Sequence, residues 1–115
     1  MTMRRVAALD ELRPGEMKGV SIDGQPVVVL NVGGNVCAYR DRCLHKGVPL
    51  STGRLIDDVL LCDVHFWEYD ATTGCGINPA GVRLDRFAVT VRDGDVFVDV
   101  DRIADQDGDG DGSKT

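Results

Sequence analysis

The sequence lacks the features of several large protein classes. No apolar run approaches the roughly 18 residues of a transmembrane helix. Arg and Lys number 13 against 19 Asp and Glu, a net charge of −6, which is the wrong sign for a nucleic-acid binder. Asp10 and Glu11 interrupt the N-terminal region before any apolar signal-peptide segment can form. We therefore expect a cytoplasmic protein of 115 residues in one domain, without membrane or nucleic-acid partners.

Helical periodicity is almost absent as well. Only Ala8 to Leu12 reads as a helical turn, and Pro14-Gly15 ends it. Apolar residues instead alternate over residues 87–91 and again over residues 96–100. The Asp93-Gly94 pair between these two runs is a strong short-range signal for a β-hairpin. The pattern predicts an all-β fold.

The same kind of pattern predicts a second hairpin, an irregular stretch within the domain and the end of the domain. The apolar run Val27 to Leu30 is followed by Gly33-Gly34 and then by Val36 to Tyr39, which predicts two paired strands. Residues 40–81 break the alternation, and such a stretch in a small domain is usually functional or held by a ligand. We predict one domain over residues 1–101 and a disordered acidic tail over residues 102–115.

The irregular stretch holds both histidines of the chain, and each follows closely on a cysteine. The two groups are Cys43-Leu44-His45 and Cys62-Asp63-Val64-His65. Cysteine thiolate and neutral imidazole are ligands for iron, zinc or copper. Two such pairs predict a metal site, whereas a single histidine would more often be an ordinary core or surface residue.

Two kinds of site use two cysteines and two histidines. One is a structural zinc site, in which like ligands usually occur together in the sequence. The other is a Rieske centre, in which two cysteines hold one iron and two histidines hold the other. Here each group offers one cysteine and one histidine, as a binuclear cluster requires. The spacing favours the Rieske centre and leaves a zinc-stabilised binding module as the alternative.

Two stretches of sequence resemble a known family. Cys43-x-His45-x-Gly47-x-x-Leu50, followed by Cys62-x-x-His65, resembles the two cluster-binding loops of Rieske proteins. The run from His65 to Pro79 is similar to the Rieske ferredoxin component of soluble diiron monooxygenases that oxidise toluene, benzene, alkenes or isoprene. The similarity covers roughly residues 4–100.

The resemblance implies a β-sandwich with a small cluster-binding lobe inserted at about residues 40–81. It implies one Rieske-type [2Fe–2S] cluster, and a third, proline-bearing loop over residues 76–79 that covers the ligand loops. The ligands would be Cys43, His45, Cys62 and His65, and the neighbouring residues of the cluster would be Gly47, Trp67, Tyr69 and Pro79.

Some positions differ from the high-potential respiratory Rieske proteins. Val48 and Val64 stand where those proteins carry a disulfide, and Trp67 stands where they carry a serine that donates to a bridging sulfide. Fewer donors to the sulfurs make reduction harder. The resemblance implies the opposite effect for Tyr69, because in the high-potential group a hydroxyl at this position can donate to a cysteine sulfur. The two remaining cysteines are expected to be a buried apolar Cys37 and a partly exposed Cys75, without a disulfide between them.

The resemblance implies a one-electron carrier rather than an enzyme. Its expected partners are an NADH-dependent flavin/iron–sulfur reductase and the diiron hydroxylase of a multicomponent hydrocarbon monooxygenase, and we expect a monomer. A Rieske ferredoxin that serves an aromatic-ring dioxygenase is the alternative within the family. The zinc-stabilised binding module is the alternative outside it.

Overall fold

The computed structural model describes residues 3–43, 47–62, 66–78 and 80–103. Ten β-strands account for most of these residues: β1 Arg4–Ala8, β2 Met17–Ile22, β3 Gln25–Val32, β4 Asn35–Arg40, β5 Arg54–Ile56, β6 Val59–Leu61, β7 Glu68–Asp70, β8 Gly76–Asn78, β9 Arg86–Arg92 and β10 Asp95–Ile103. Two short 3₁₀ helices, Leu9–Glu11 and Leu50–Thr52, complete the regular structure. In the described part of the chain, no helix has the length and apolar character needed to cross a membrane.

The larger sheet contains six antiparallel strands in the order β1-β10-β9-β4-β3-β2. Two-residue turns set its hairpin registers: Val32 pairs with Asn35 around the two glycines, and Arg92 pairs with Asp95 around Asp93-Gly94. The two edges of the sheet approach each other at one corner, where Arg4 and Asp23 form an exposed ion pair of 3.4 Å.

The smaller sheet contains four antiparallel strands of three residues each, in the order β5-β6-β7-β8. All four strands lie between β4 and β9 in the chain, so this sheet is an insertion into the larger one. We call the inserted part the lobe, residues 41–85. Its ends lie side by side, because β4 and β9 pair at Tyr39 with Arg86 and the Arg40 N–H donates to the Asp85 carbonyl at 2.9 Å.

The core lies on both faces of β3. Val27 and Val29 pack on one face with Phe87 and Val98 from the larger sheet and with Leu12, which follows the first 3₁₀ helix. Val28 and Leu30 lie in the other cluster, which contains Tyr39 and residues of the lobe. Burial on both faces explains why this strand is a continuous apolar run rather than an alternating one.

The all-β sandwich with an inserted lobe is therefore confirmed, and both hairpins lie where the turn residues predict them. The lobe is more regular than the sequence predicts. Gly76–Asn78, predicted as the first part of a covering loop, is strand β8, which pairs with β7. Pro79 and the tail from residue 104 lie outside the described residues. The last strand runs to Ile103.

Candidate metal centre

Cys43 begins the first predicted ligand loop, three residues after the end of β4. The loop closes on itself, because the Cys43 N–H donates to the Val48 carbonyl at 2.7 Å and the Gly47 N–H donates to the Cys43 carbonyl at 2.8 Å. Gly47 has a φ of 72°, a left-handed conformation that favours glycine. The turn in this loop therefore explains why the motif Cys43-x-His45-x-Gly47 has a glycine at its last position.

Cys62 begins the second predicted ligand loop, which joins β6 to β7. The Cys62 N–H donates to the Trp67 carbonyl at 2.8 Å, so the two ends of the loop are held together. Phe66 has a φ of 56° and is 65% exposed. Left-handed backbone is unusual for a bulky side chain and occurs mainly where the surroundings impose it.

The two loops bring both cysteines into one buried cluster. Cys43 is 2% exposed and Cys62 is fully buried, and neither forms a disulfide. The hydroxyl of Tyr69, from the centre of β7, lies 3.4 Å from the Cys43 sulfur. If Cys43 is a thiolate, the hydroxyl is the donor, as the resemblance leads us to expect. A donor of this kind would withdraw negative charge from the sulfur.

Trp67 and Tyr39 hold the lobe in place. Trp67 is partly buried and packs against the cluster that contains both cysteines. Tyr39, on β4, is fully buried, and its hydroxyl donates to the Ala71 carbonyl at 2.8 Å. A Cβ at Gly74 would lie 2.8 Å from the Tyr39 ring, so the chain of the lobe passes directly over this tyrosine.

Asp41 and Ser51 fix the two ends of the first loop, and the sequence analysis missed both. The Ser51 N–H donates to Oδ1 of Asp41 at 2.7 Å, and the Ser51 hydroxyl donates to Oδ2 at 2.6 Å. Asp41 is buried. Short polar side chains next to a loop are a general signal for such bonds, but the pattern does not reveal their partner.

The other two cysteines differ from this pair. Cys37 is buried on β4, and burial raises the pKa of its thiol, although the charge of Arg86 opposes the shift. A raised pKa favours the neutral thiol over the thiolate that binds metals. Cys75 is partly exposed, and Arg83 donates to its sulfur at 3.5 Å. Both cysteines are free, as expected.

The described residues fit an iron–sulfur cluster. Two buried cysteines without a disulfide, with a hydroxyl against one sulfur, are suited to hold one iron of a binuclear centre. His45 and His65 lie outside the described residues, and among the residues described no group of three or more metal-binding side chains converges. The set of four ligands therefore stays a prediction.

The fold and this site define a class: a small antiparallel β-protein with an inserted lobe that holds one buried cysteine at the start of each of two closed loops. The chain belongs to the Rieske [2Fe-2S] domain family, which matches residues 2–88. The cofactor of this family is one [2Fe–2S] cluster, which confirms the predicted cofactor and removes the zinc-stabilised binding module from the alternatives.

The relatives are ferredoxin components of two kinds of oxygenase system. The chain is 36% identical over 102 residues to the ferredoxin component of biphenyl 2,3-dioxygenase from Rhodococcus jostii (strain RHA1), covering 88% of this chain and 95% of the relative. It is 37% identical over 94 residues to the ferredoxin component of the alkene monooxygenase system from Xanthobacter autotrophicus, covering 81% and 77%.

A solved structure gives the same result for the fold. The ferredoxin of carbazole 1,9a-dioxygenase from Nocardioides aromaticivorans IC177 superimposes with a TM-score of 0.78 at 29% identity, covering 85% of this chain and 97% of that one. The family and the ferredoxin character are thus established, and both oxygenase classes are represented among the relatives.

Proposed function

We propose that this protein carries single electrons to the diiron hydroxylase of a multicomponent hydrocarbon monooxygenase. The observation that carries the proposal is the pair of buried cysteines, Cys43 and Cys62, each at the start of a short closed loop that also contains a histidine. We propose His45 and His65 as the ligands of the second iron. When bound, a Rieske cluster accepts and releases one electron.

The residues of the chain have three tasks in this function. The two loops hold the ligands at fixed positions, the buried core keeps water away from the cysteines, and the Tyr69 hydroxyl offsets negative charge on a sulfur. Apart from the proposed metal ligands, we find no nucleophile–base pair in the sequence, and we find no phosphate-binding loop, so we assign substrate oxidation to the partner. The electron donor would be an NADH-dependent flavin/iron–sulfur reductase, and we place the system in the cytoplasm.

The monooxygenase assignment rests on the run from His65 to Pro79 and is supported by the similarity to the alkene monooxygenase ferredoxin. The second candidate acceptor is the oxygenase component of an aromatic-ring dioxygenase. The similarity to the biphenyl dioxygenase ferredoxin, which is almost equal in identity and extends over 95% of that relative, favours it.

The test separates the two acceptors directly. The protein is reduced chemically under anaerobic conditions and mixed with either a purified diiron hydroxylase or a purified ring-hydroxylating dioxygenase. We expect rapid loss of the reduced-cluster signal with the hydroxylase and slow loss with the dioxygenase. The reverse order would replace the monooxygenase assignment with the dioxygenase one. A protein with zinc and no iron would overturn both.

A further inference from the structure

Asp41 is a buried carboxylate, and none of the ion pairs found among the residues that the structure describes involves it. The residue is 7% exposed, and the described hydrogen bonds to its carboxylate come from the backbone and hydroxyl of Ser51. Among the residues that the structure describes, the ion pairs join Arg4, Arg5 and Arg40 to other carboxylates. Burial of an unpaired charge costs free energy, so a carboxylate at this position calls for an explanation other than stability.

The backbone of β2 covers this carboxylate. A Cβ on Gly19 would lie 2.6 Å from the Ser51 hydroxyl and 3.0 Å from Oδ2 of Asp41. The absence of a side chain at Gly19 therefore allows β2 to lie directly against Asp41 and Ser51. Because water is displaced on this side, the charge of Asp41 is screened less than that of a surface aspartate, and its field extends further into the lobe.

Asp41 is also close to the proposed cluster along the chain. It precedes Cys43 by two residues, which span at most about 7 Å between Cα atoms. Ser51 holds both carboxylate oxygens, so the position of the charge relative to the first ligand loop is fixed. A fixed negative charge near a redox centre opposes the addition of an electron, since the reduced centre is more negative than the oxidised one.

We propose that Asp41 lowers the reduction potential of the cluster through its buried charge and that Ser51 holds the charge in place. The inference rests on the proposed function, because it takes Cys43 as a cluster ligand. It assigns a function to a buried charge that stability does not explain. The charge of Asp41 would then influence the reduction potential in addition to the hydrogen bonds to sulfur, which the presence of Tyr69 and of Trp67 in place of a serine affects.

The first test compares two variants that each remove one negative charge. Asp41→Asn keeps the size of the side chain and an oxygen that can accept from Ser51. Asp93→Asn changes the exposed turn at the opposite end of the larger sheet, where the φ of 52° before Gly94 suits asparagine. In protein-film voltammetry of the cluster-loaded protein, we expect a higher potential for Asp41→Asn and an unchanged potential for Asp93→Asn. Equal potentials in the two variants would overturn the inference.

Ser51→Ala provides a second test, which also decides the matter if Asp41→Asn does not fold. This variant keeps the carboxylate and removes one donor to it, so less of the negative charge is offset. We expect the potential to fall. A potential that stays the same or rises would mean that Asp41 acts by loop geometry alone, and the inference would be wrong.

Failure of the inference can be told apart from failure of the proposed function. Iron content, the visible spectrum and the electron paramagnetic resonance spectrum of the wild-type protein are measured first. A wild-type protein without a Rieske-type signal would end the proposed function and the inference together. A normal signal in the wild type, with no difference between Asp41→Asn and Asp93→Asn, would end the inference alone.

Discussion

The hydroxyl of Tyr69 lies 3.4 Å from the sulfur of Cys43, although the two residues belong to different parts of the lobe. Tyr69 is at the centre of β7, and Cys43 begins the loop after β4. Both side chains are buried, so water does not compete strongly for this contact. The contact links β7, one of the two inner strands of the smaller sheet, to the first cysteine of the predicted site.

Replacing Tyr69 with phenylalanine should lower the reduction potential. The change removes the hydroxyl that would donate to a Cys43 thiolate and leaves the ring in its buried place, so more negative charge would stay on the sulfur. Protein-film voltammetry measures the effect. An unchanged potential in Tyr69→Phe would show that the hydroxyl does not donate to a cluster ligand.

Tyr39→Phe is the matched control. The Tyr39 hydroxyl is equally buried but donates to the Ala71 carbonyl. We expect this variant to lose about 1–3 kcal/mol of stability, because a buried carbonyl loses its donor, and to keep the wild-type potential. A potential shift as large as that of Tyr69→Phe would point to a general loosening of the lobe.

Cys43→Ser and Cys62→Ser should each abolish cluster binding. Both cysteines are buried at the starts of the two ligand loops, and metal binding and folding of the lobe are expected to be coupled. Iron analysis and the visible spectrum of the purified protein measure the loss. Cys75→Ser, at the partly exposed cysteine, should retain full iron content. Full iron content in either of the first two variants would contradict the ligand assignment.

Gly53→Ala should destabilise the lobe and reduce cluster content. A Cβ at this position would collide with the Leu61 carbonyl, directly before Cys62. We expect a loss of about 1–3 kcal/mol, as for other overpacked sites, measured as a lower midpoint of thermal unfolding. Gly15→Ala is the control: its φ of 90° adds backbone strain, but no atom lies within 4 Å of the added Cβ. A normal iron content in Gly53→Ala would show that the chain at Gly53 and the chain at Leu61 can move apart without loss of the cluster.

Asp70 should make the lobe more stable at neutral pH than in acid. Hydrogen bonds from Thr72, the hydroxyl first and the backbone N–H second, hold the pKa of the Asp70 carboxyl below its ordinary value of 3.8. Because the folded pKa is the lower one, the stabilisation is present above this ordinary value and is lost as the pH falls towards the folded pKa.

Thr72→Val tests the contribution of this hydroxyl. The variant should unfold at a lower temperature than the wild type at pH 7, by an amount that corresponds to about 1 kcal/mol. The difference should shrink as the pH falls below about 4, where aspartate carboxyls become protonated. A difference that stays constant from pH 7 to pH 3 would show that the carboxylate charge is not involved.

Sequence patterns predicted the elements whose signals are local. Asp93-Gly94 and Gly33-Gly34 set the registers of two hairpins through their turn geometry alone. The four strands of the smaller sheet were missed because each has three residues, which is too short for a period of two to stand out. The edge strands β1 and β2 were missed because their apolar residues do not alternate clearly with polar ones.

The candidate site was predicted in the same uneven way. The two cysteine and histidine pairs are visible in the sequence because the spacing within each pair is short. The bonds between Asp41 and Ser51 and the contact of Gly19 with both are not visible, since they join segments that only the fold brings together. Tyr69 was identified from a family resemblance and not from its spacing to Cys43.

The neighbouring positions of β4 and β9 have a consequence for how the cofactor is acquired. The chain leaves the larger sheet after Arg40 and returns to it at Arg86, one strand away. Pairing of β4 with β9 already holds the ends of the inserted segment together, so folding of the lobe does not have to overcome the entropy cost of closing this loop. Iron insertion can then be coupled to folding of the lobe alone, so biogenesis of the holoprotein becomes a local event rather than a reorganisation of the whole chain.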